Sequence, residues 1–153
     1  GESVIAVLIH AMIYFLEKER VSVAAVLFGL AVHWRIYPVI YVPAIAVRLS
    51  HRDFLGFAVL SLSTFMVLVA FFYKLYGMEF LQCAYLHHSQ RKDPQHNFSV
   101  YFFLVNGSAD VTRFAFLPQL CLSTYLGLRS SGGWAPVFLL QTLAFVATNK
   151  VLT

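Results

Sequence analysis

Charge is what this chain lacks most. Only 12% of its 153 residues are Asp, Glu, Lys or Arg, against about 25% in an ordinary soluble domain. Cysteine is nearly absent too: Cys83 and Cys121 are the only two, which excludes a disulfide framework and leaves two free thiols as the expectation. The sequence has no P-loop, no D-x-D, no G-x-S-x-G and no H-E-x-x-H, so the common signatures of nucleotide binding, hydrolase nucleophiles and zincin chemistry are missing. It has no internal repeat and no low-complexity tract. No basic region precedes the apolar run Val4–Ile9, so no signal peptide is expected.

Apolar residues fill the space that charge leaves. Hydrophobic residues make up 59% of the chain, with 15 Phe and 8 Tyr, and the mean hydropathy is +0.72. A buried core alone does not explain such a deficit of charge. The expected class is an all-α, polytopic integral membrane protein. The net charge of +4 rests on residues scattered between apolar segments. That pattern reports membrane topology and anionic lipid, not nucleic acid. The abrupt apolar start and end predict an internal part of a larger multispanning protein.

A membrane-spanning helix needs about 20 residues. The candidate spans are 4–16, 21–32, 36–47, 54–73, 113–128 and 134–148, together one partial transmembrane domain over 1–153. Pro38 and Pro43 disfavour regular helix within 36–47. The His33-Trp34-Arg35 tripeptide either interrupts one long helix or turns between two, and two spans are expected. Lys18 with Arg20, Arg48 with Arg52, and Arg129 then fall on one side, which the positive-inside rule makes cytoplasmic. His33–Arg35 and the segment 74–99 fall on the other. That segment is too polar to span and reads as an interfacial helix followed by a loop turning at Pro94.

The residues that can carry chemistry gather on this second side. Arg35, Arg91 and Lys92 offer permanent positive charge, and His33, His87 and His96 add donors. Arginine grips phosphate with a rigid fork, so an anionic lipid or sugar-phosphate is the natural ligand. Snorkelling to headgroups is the plainer role for Arg35. Tyr37 and Tyr41 lie four apart and serve either as hydroxyl donors to a sugar or as interface anchors. The spacing of His87, His88 and His96 fits no metal motif, and no metal site is expected from them. Glu2, Glu79 and Asp93 lie on the same side and are the candidate bases for activating a hydroxyl, as is His96. Asn97-Phe98-Ser99 and Asn106-Gly107-Ser108 match the glycosylation sequon only weakly.

Three blocks carry a resemblance: Glu2-Ser3 with Ala31–Tyr41; Phe72–Leu81 through Tyr85–His88 to Arg91-Lys92-Asp93 and His96–Tyr101; and Phe114–Gln119 with Phe145–Lys150. In these the chain resembles the catalytic subunits of glycosylphosphatidylinositol (GPI) mannosyltransferase I, along nearly its whole length. His96-Asn97-Phe98-Ser99, preceded by Arg91-Lys92-Asp93, is the most specific part. The resemblance implies a GT-C type glycosyltransferase in the endoplasmic reticulum membrane with a lumen-facing site. It implies transfer of mannose, α-1,4 and with inversion, from dolichyl-phosphate mannose to glucosaminyl-(acyl)phosphatidylinositol, and a small accessory membrane subunit. With the donors read above, the substrate contacts expected are His33, Arg35, Tyr37, Tyr41, His87, Arg91, His96 and Asn97. The family's acidic D-x-D-like motif is absent here, so these residues alone are expected to be inactive. Any divalent metal would come through that motif, and no cofactor is otherwise established. Gln95 stands where a basic residue is common in the family. A lipid-linked sugar transferase of another branch, a membrane lipid or sugar transporter and a noncatalytic scaffold are the rival readings.

Overall fold

The computed structural model describes residues 2–86 and 116–148, with side chains over 3–85 and 117–148. Every regular element among them is helical. The helices are α1 (Glu2–Glu17), α2 (Val21–Trp34), α3 (Val42–Arg48), α4 (His51–Tyr76), α5 (Met78–Leu81), α6 (Phe116–Arg129) and α7 (Trp134–Ala147). A 3-10 segment, Tyr37–Tyr41, precedes α3, and a π-helical turn, Gln82–Leu86, follows α5.

Local chemistry explains where these helices stop. After α1 the Arg20 N–H donates to Phe15 O (2.9 Å) and the Glu19 N–H to Leu16 O (3.1 Å), the paired bonds of a Schellman ending. Glu19 takes the left-handed conformation this ending requires (φ 56°). At the start of α4, Ser50 Oγ accepts from the Asp53 N–H (3.2 Å) and donates to Asp53 Oδ2 (2.6 Å). The cap satisfies one of the free donors of the first turn. Gly77, at φ 65°, ends α4.

The expected break after α2 is present. Arg35 is fully extended (φ −148°, ψ 135°), and the chain resumes as the 3-10 turn that opens at Tyr37 with Pro38 next. Pro43 then sits in the first turn of α3, where its missing N–H costs little. The 36–47 segment is thus two short helical pieces. Phe54–Tyr73 lies within a longer helix, α4, of 26 residues, about 39 Å at 1.5 Å per residue. By length and composition α4 is able to cross a membrane, and it alone among the described residues meets that standard. Residues 87–115 and 149–153, with the Glu2 side chain, and the expectations placed on them, lie outside the described residues.

Packing places the turns at two ends. α1 and α2 form a hairpin, α2 lies along α4, and α6 pairs with α7. At one end Arg48 donates to Gly132 O (2.6 Å) and Ser130 O (2.7 Å). Its guanidinium also lies 5.6 Å from the Trp134 ring centre, and Glu17 approaches Gly133. The α1–α2, α3–α4 and α6–α7 turns therefore meet, as the charge pattern of Lys18, Arg20, Arg48, Arg52 and Arg129 implied. The core between the ends is built from Ile5, Ile9, Met12 and Leu16 of α1, Phe28 of α2, Ile45 of α3, Phe57 of α4 and Phe138 of α7.

Candidate functional site

The other end gathers His33, Arg35 and Tyr37 with the start of the 78–86 segment. His33 closes α2. Its ring stacks on Phe72 of α4 (centres 5.3 Å apart, planes at 20°) and approaches Phe80 (6.1 Å) and Phe65 (6.2 Å). The Tyr85 hydroxyl lies 2.9 Å from His33 Nδ1. The imidazole thus pins the 78–86 segment onto α2 and α4. Desolvation in this aromatic box lowers the His33 pKa from its ordinary value of 6.5. The same burial raises that of Tyr85. A neutral ring bonded through one nitrogen is a strut first. Phe80 and Tyr85 thus pack against protein.

Arg35 and Glu79 are both exposed. Arg35 stands just past the last turn of α2, and Glu79 one residue before Phe80 of the box. Tyr37 is half-buried and stacks on Phe145 of α7 (5.6 Å, 27°). Tyr41 departs from expectation. It is 1% exposed and stacks on Phe138 (4.4 Å, 14°). Thr142 gives its hydroxyl proton to Phe138 O (2.7 Å), so the Tyr41 hydroxyl must donate to Thr142 Oγ1 (2.6 Å). Its proton is committed inside the core, which makes Tyr41 a packing residue in place of the substrate contact expected. The physical reason is the match between tyrosines four apart on the 3-10 segment and phenylalanines seven apart on α7.

Beneath the His33 box a cavity of about 350 Å³ opens between α2 and α4. Phe28, Val32, Ile36, Leu62 and Phe65 make it almost wholly apolar. Gly29 lies in its wall, where α2 and α4 touch. Among the described residues no three His, Cys, Asp or Glu side chains converge to hold a metal. Glu79 is the described carboxylate at this end.

Residues that sequence reasoning passed over hold this arrangement. Gln141 of α7 is fully buried. Its Nε2 donates to Ile40 O (2.7 Å) and Ser123 O (2.9 Å), tying the 3-10 segment to α6 and α7. Gln119 of α6 donates to Phe145 O of α7 (2.8 Å). A lone amide in an apolar run was the available signal, since polar groups there are expensive unless partnered.

The same 153 residues match one family model, described as Mannosyltransferase (PIG-M), from residue 1 to 153. The chain belongs to the PIG-M mannosyltransferase family. It is 37% identical over 179 residues to "GPI mannosyltransferase 1" of Saccharomyces cerevisiae, covering all of this chain and 44% of that protein. It is also 37% identical over 173 residues to the "GPI alpha-1,4-mannosyltransferase I, catalytic subunit" of Danio rerio, again covering all of this chain and 44% of that protein. The Candida albicans protein of the first name is 32% identical over 181 residues, covering all of this chain and 46% of its own length. The chain therefore spans less than half the length of these family members. No solved structure matches it.

Proposed function

We propose that this chain forms part of the transmembrane domain of a GT-C type mannosyltransferase in the endoplasmic reticulum membrane. The enzyme transfers the first mannose of a GPI anchor, in α-1,4 linkage, from dolichyl-phosphate mannose to glucosaminyl-(acyl)phosphatidylinositol. The family match along all 153 residues carries this reading. The end that presents Arg35 and Glu79 faces the lumen and the reaction. A small accessory membrane subunit completes the enzyme.

In the proposed step an acceptor hydroxyl oxygen attacks the mannosyl anomeric carbon as the bond to the donor phosphate oxygen breaks. The configuration inverts. The hydroxyl proton passes to a base, and the bonding electrons leave with the dolichyl phosphate. Arginine and histidine donors stabilise charge that develops on the leaving phosphate. Arg35 fits that role by charge and position, joined by His87, Arg91, His96 and Asn97. Glu2, Glu79 and Asp93 are the candidate bases. His33 acts by fixing the 78–86 segment, from which the chain continues to these residues.

The test uses microsomes holding the full-length enzyme with its accessory subunit, labelled dolichyl-phosphate mannose and glucosaminyl-phosphatidylinositol. The expected result is a lipid product carrying one labelled mannose, lost at least tenfold in His96→Ala at equal protein level. An assembled enzyme that yields no mannosylated lipid sinks the acceptor assignment.

A further inference from the structure

α1 carries its polar residues on the face turned away from the core. Ile5, Ile9, Met12 and Leu16 are buried. Ser3, His10 and Tyr14 are exposed on the opposite side, at the seven- and four-residue steps that align one helix face. Val7, 67% exposed, lies among them. α4 shows the contrasting pattern. Its outward Leu55, Val59, Met66, Val67 and Phe71 are apolar, and Ser63 is the one polar residue exposed between Leu55 and Phe71, a composition suited to lipid.

His10 sharpens the contrast. Its Nδ1 lies 2.7 Å from Ala6 O. A carbonyl only accepts, so Nδ1 carries the proton. In the neutral ring Nε2 is then an acceptor, and His10 is exposed near the middle of a 16-residue apolar helix. Hydrocarbon offers that nitrogen nothing. Ser and His on one stripe instead suit a packed helix pair in a membrane, where such side chains bond across helices. The family members compared are more than twice as long as this chain, which covers 44% of them.

From this pattern we infer that the Ser3–His10–Tyr14 face of α1 is a helix-docking surface. Its occupant is a membrane-spanning helix of the same enzyme polypeptide, outside these 153 residues, with an O–H or N–H donor opposite His10 Nε2. The inference rests on the membrane reading proposed above, but its tests read contact and stability, so inactivity of the enzyme does not bear on them.

The experiment uses the full-length enzyme in microsomal membranes, with a benzophenone amino acid in place of Tyr14. After irradiation and proteolysis, the expected adduct is to an apolar peptide of the same polypeptide from outside this region. Adducts to lipid or to a separate subunit, or no adduct, overturn the proposal. A second measurement compares His10→Leu with His10→Gln in the solubilised enzyme. On this account Leu lowers the thermal midpoint by about 1–3 °C, while Gln, which keeps an acceptor, loses less. A lipid-facing His10 gives the reverse: Leu leaves the midpoint unchanged or raises it, and the proposal fails.

Discussion

Gly29→Val is expected to remove most of the folded protein, as measured by the thermal midpoint and by the monodisperse fraction on size exclusion. Gly29 lies where α2 crosses α4. A Cβ there would sit 2.6 Å from the Ser61 carbonyl oxygen and 2.8 Å from Thr64 Cβ. Neither neighbour swings aside, because one is helix backbone and the other is fixed to it. The helices must separate, which loosens Phe28 against Phe57 (5.3 Å between ring centres) and the wall of the apolar cavity. Overpacking of this kind costs about 1–3 kcal/mol, and the branched side chain belongs at the upper end. Against a total stability of roughly 5–15 kcal/mol that is a severe loss. Gly56 on α4 is the control. A Cβ there meets nothing within 4 Å, and alanine favours helix over glycine by about 1 kcal/mol. Gly56→Ala should be neutral or stabilising. Equal midpoints for Gly29→Val and Gly56→Ala would refute the close α2–α4 crossing.

The second large effect falls on Gln141. Gln141→Ala removes two buried hydrogen bonds and leaves the carbonyls of Ile40 and Ser123 without this donor. Leaving buried polar groups unsatisfied costs about 1–3 kcal/mol, so a loss near 2 kcal/mol is expected. Gly127 is coupled to it. A Cβ on Gly127 would lie 2.5 Å from Gln141 Nε2 and 3.1 Å from the Ala44 backbone nitrogen. Gly127→Ala should therefore be costly in the natural background and distinctly cheaper beside Gln141→Ala. The expected coupling is about 1 kcal/mol from a double-mutant cycle in denaturant or heat. Strict additivity would mean that glycine and amide do not share this space.

Helix content and order were legible from apolar runs, and the break at Arg35 from a basic residue set before two prolines. The grouping of three basic turns at one end was legible too, since charge bias along the chain encodes it. Packing partners were not. Nothing local distinguishes Tyr37 from Tyr41, yet Tyr37 is half-buried while Tyr41 is sealed against Phe138 and Thr142. That outcome depends on α7, about a hundred residues later in the chain. His33 reads in sequence as a donor for phosphate. Only the return of Phe72, Phe80 and Tyr85 to the same place makes it a strut. The spacing values of Gly29 and Gly127 are likewise invisible until two helices touch.

On the proposed function the two ends differ in role: the Arg35 end meets the substrates, and the Arg48 end holds turns together. The most direct test measures mannosylated lipid formed by the full-length enzyme carrying Arg35→Ala beside Arg52→Ala, each at natural protein level. Both arginines are exposed, so neither change opens a core. The account predicts at least a tenfold loss of product for Arg35→Ala, with less than a twofold change for Arg52→Ala. Full activity in Arg35→Ala, or a loss confined to Arg52→Ala, would contradict it.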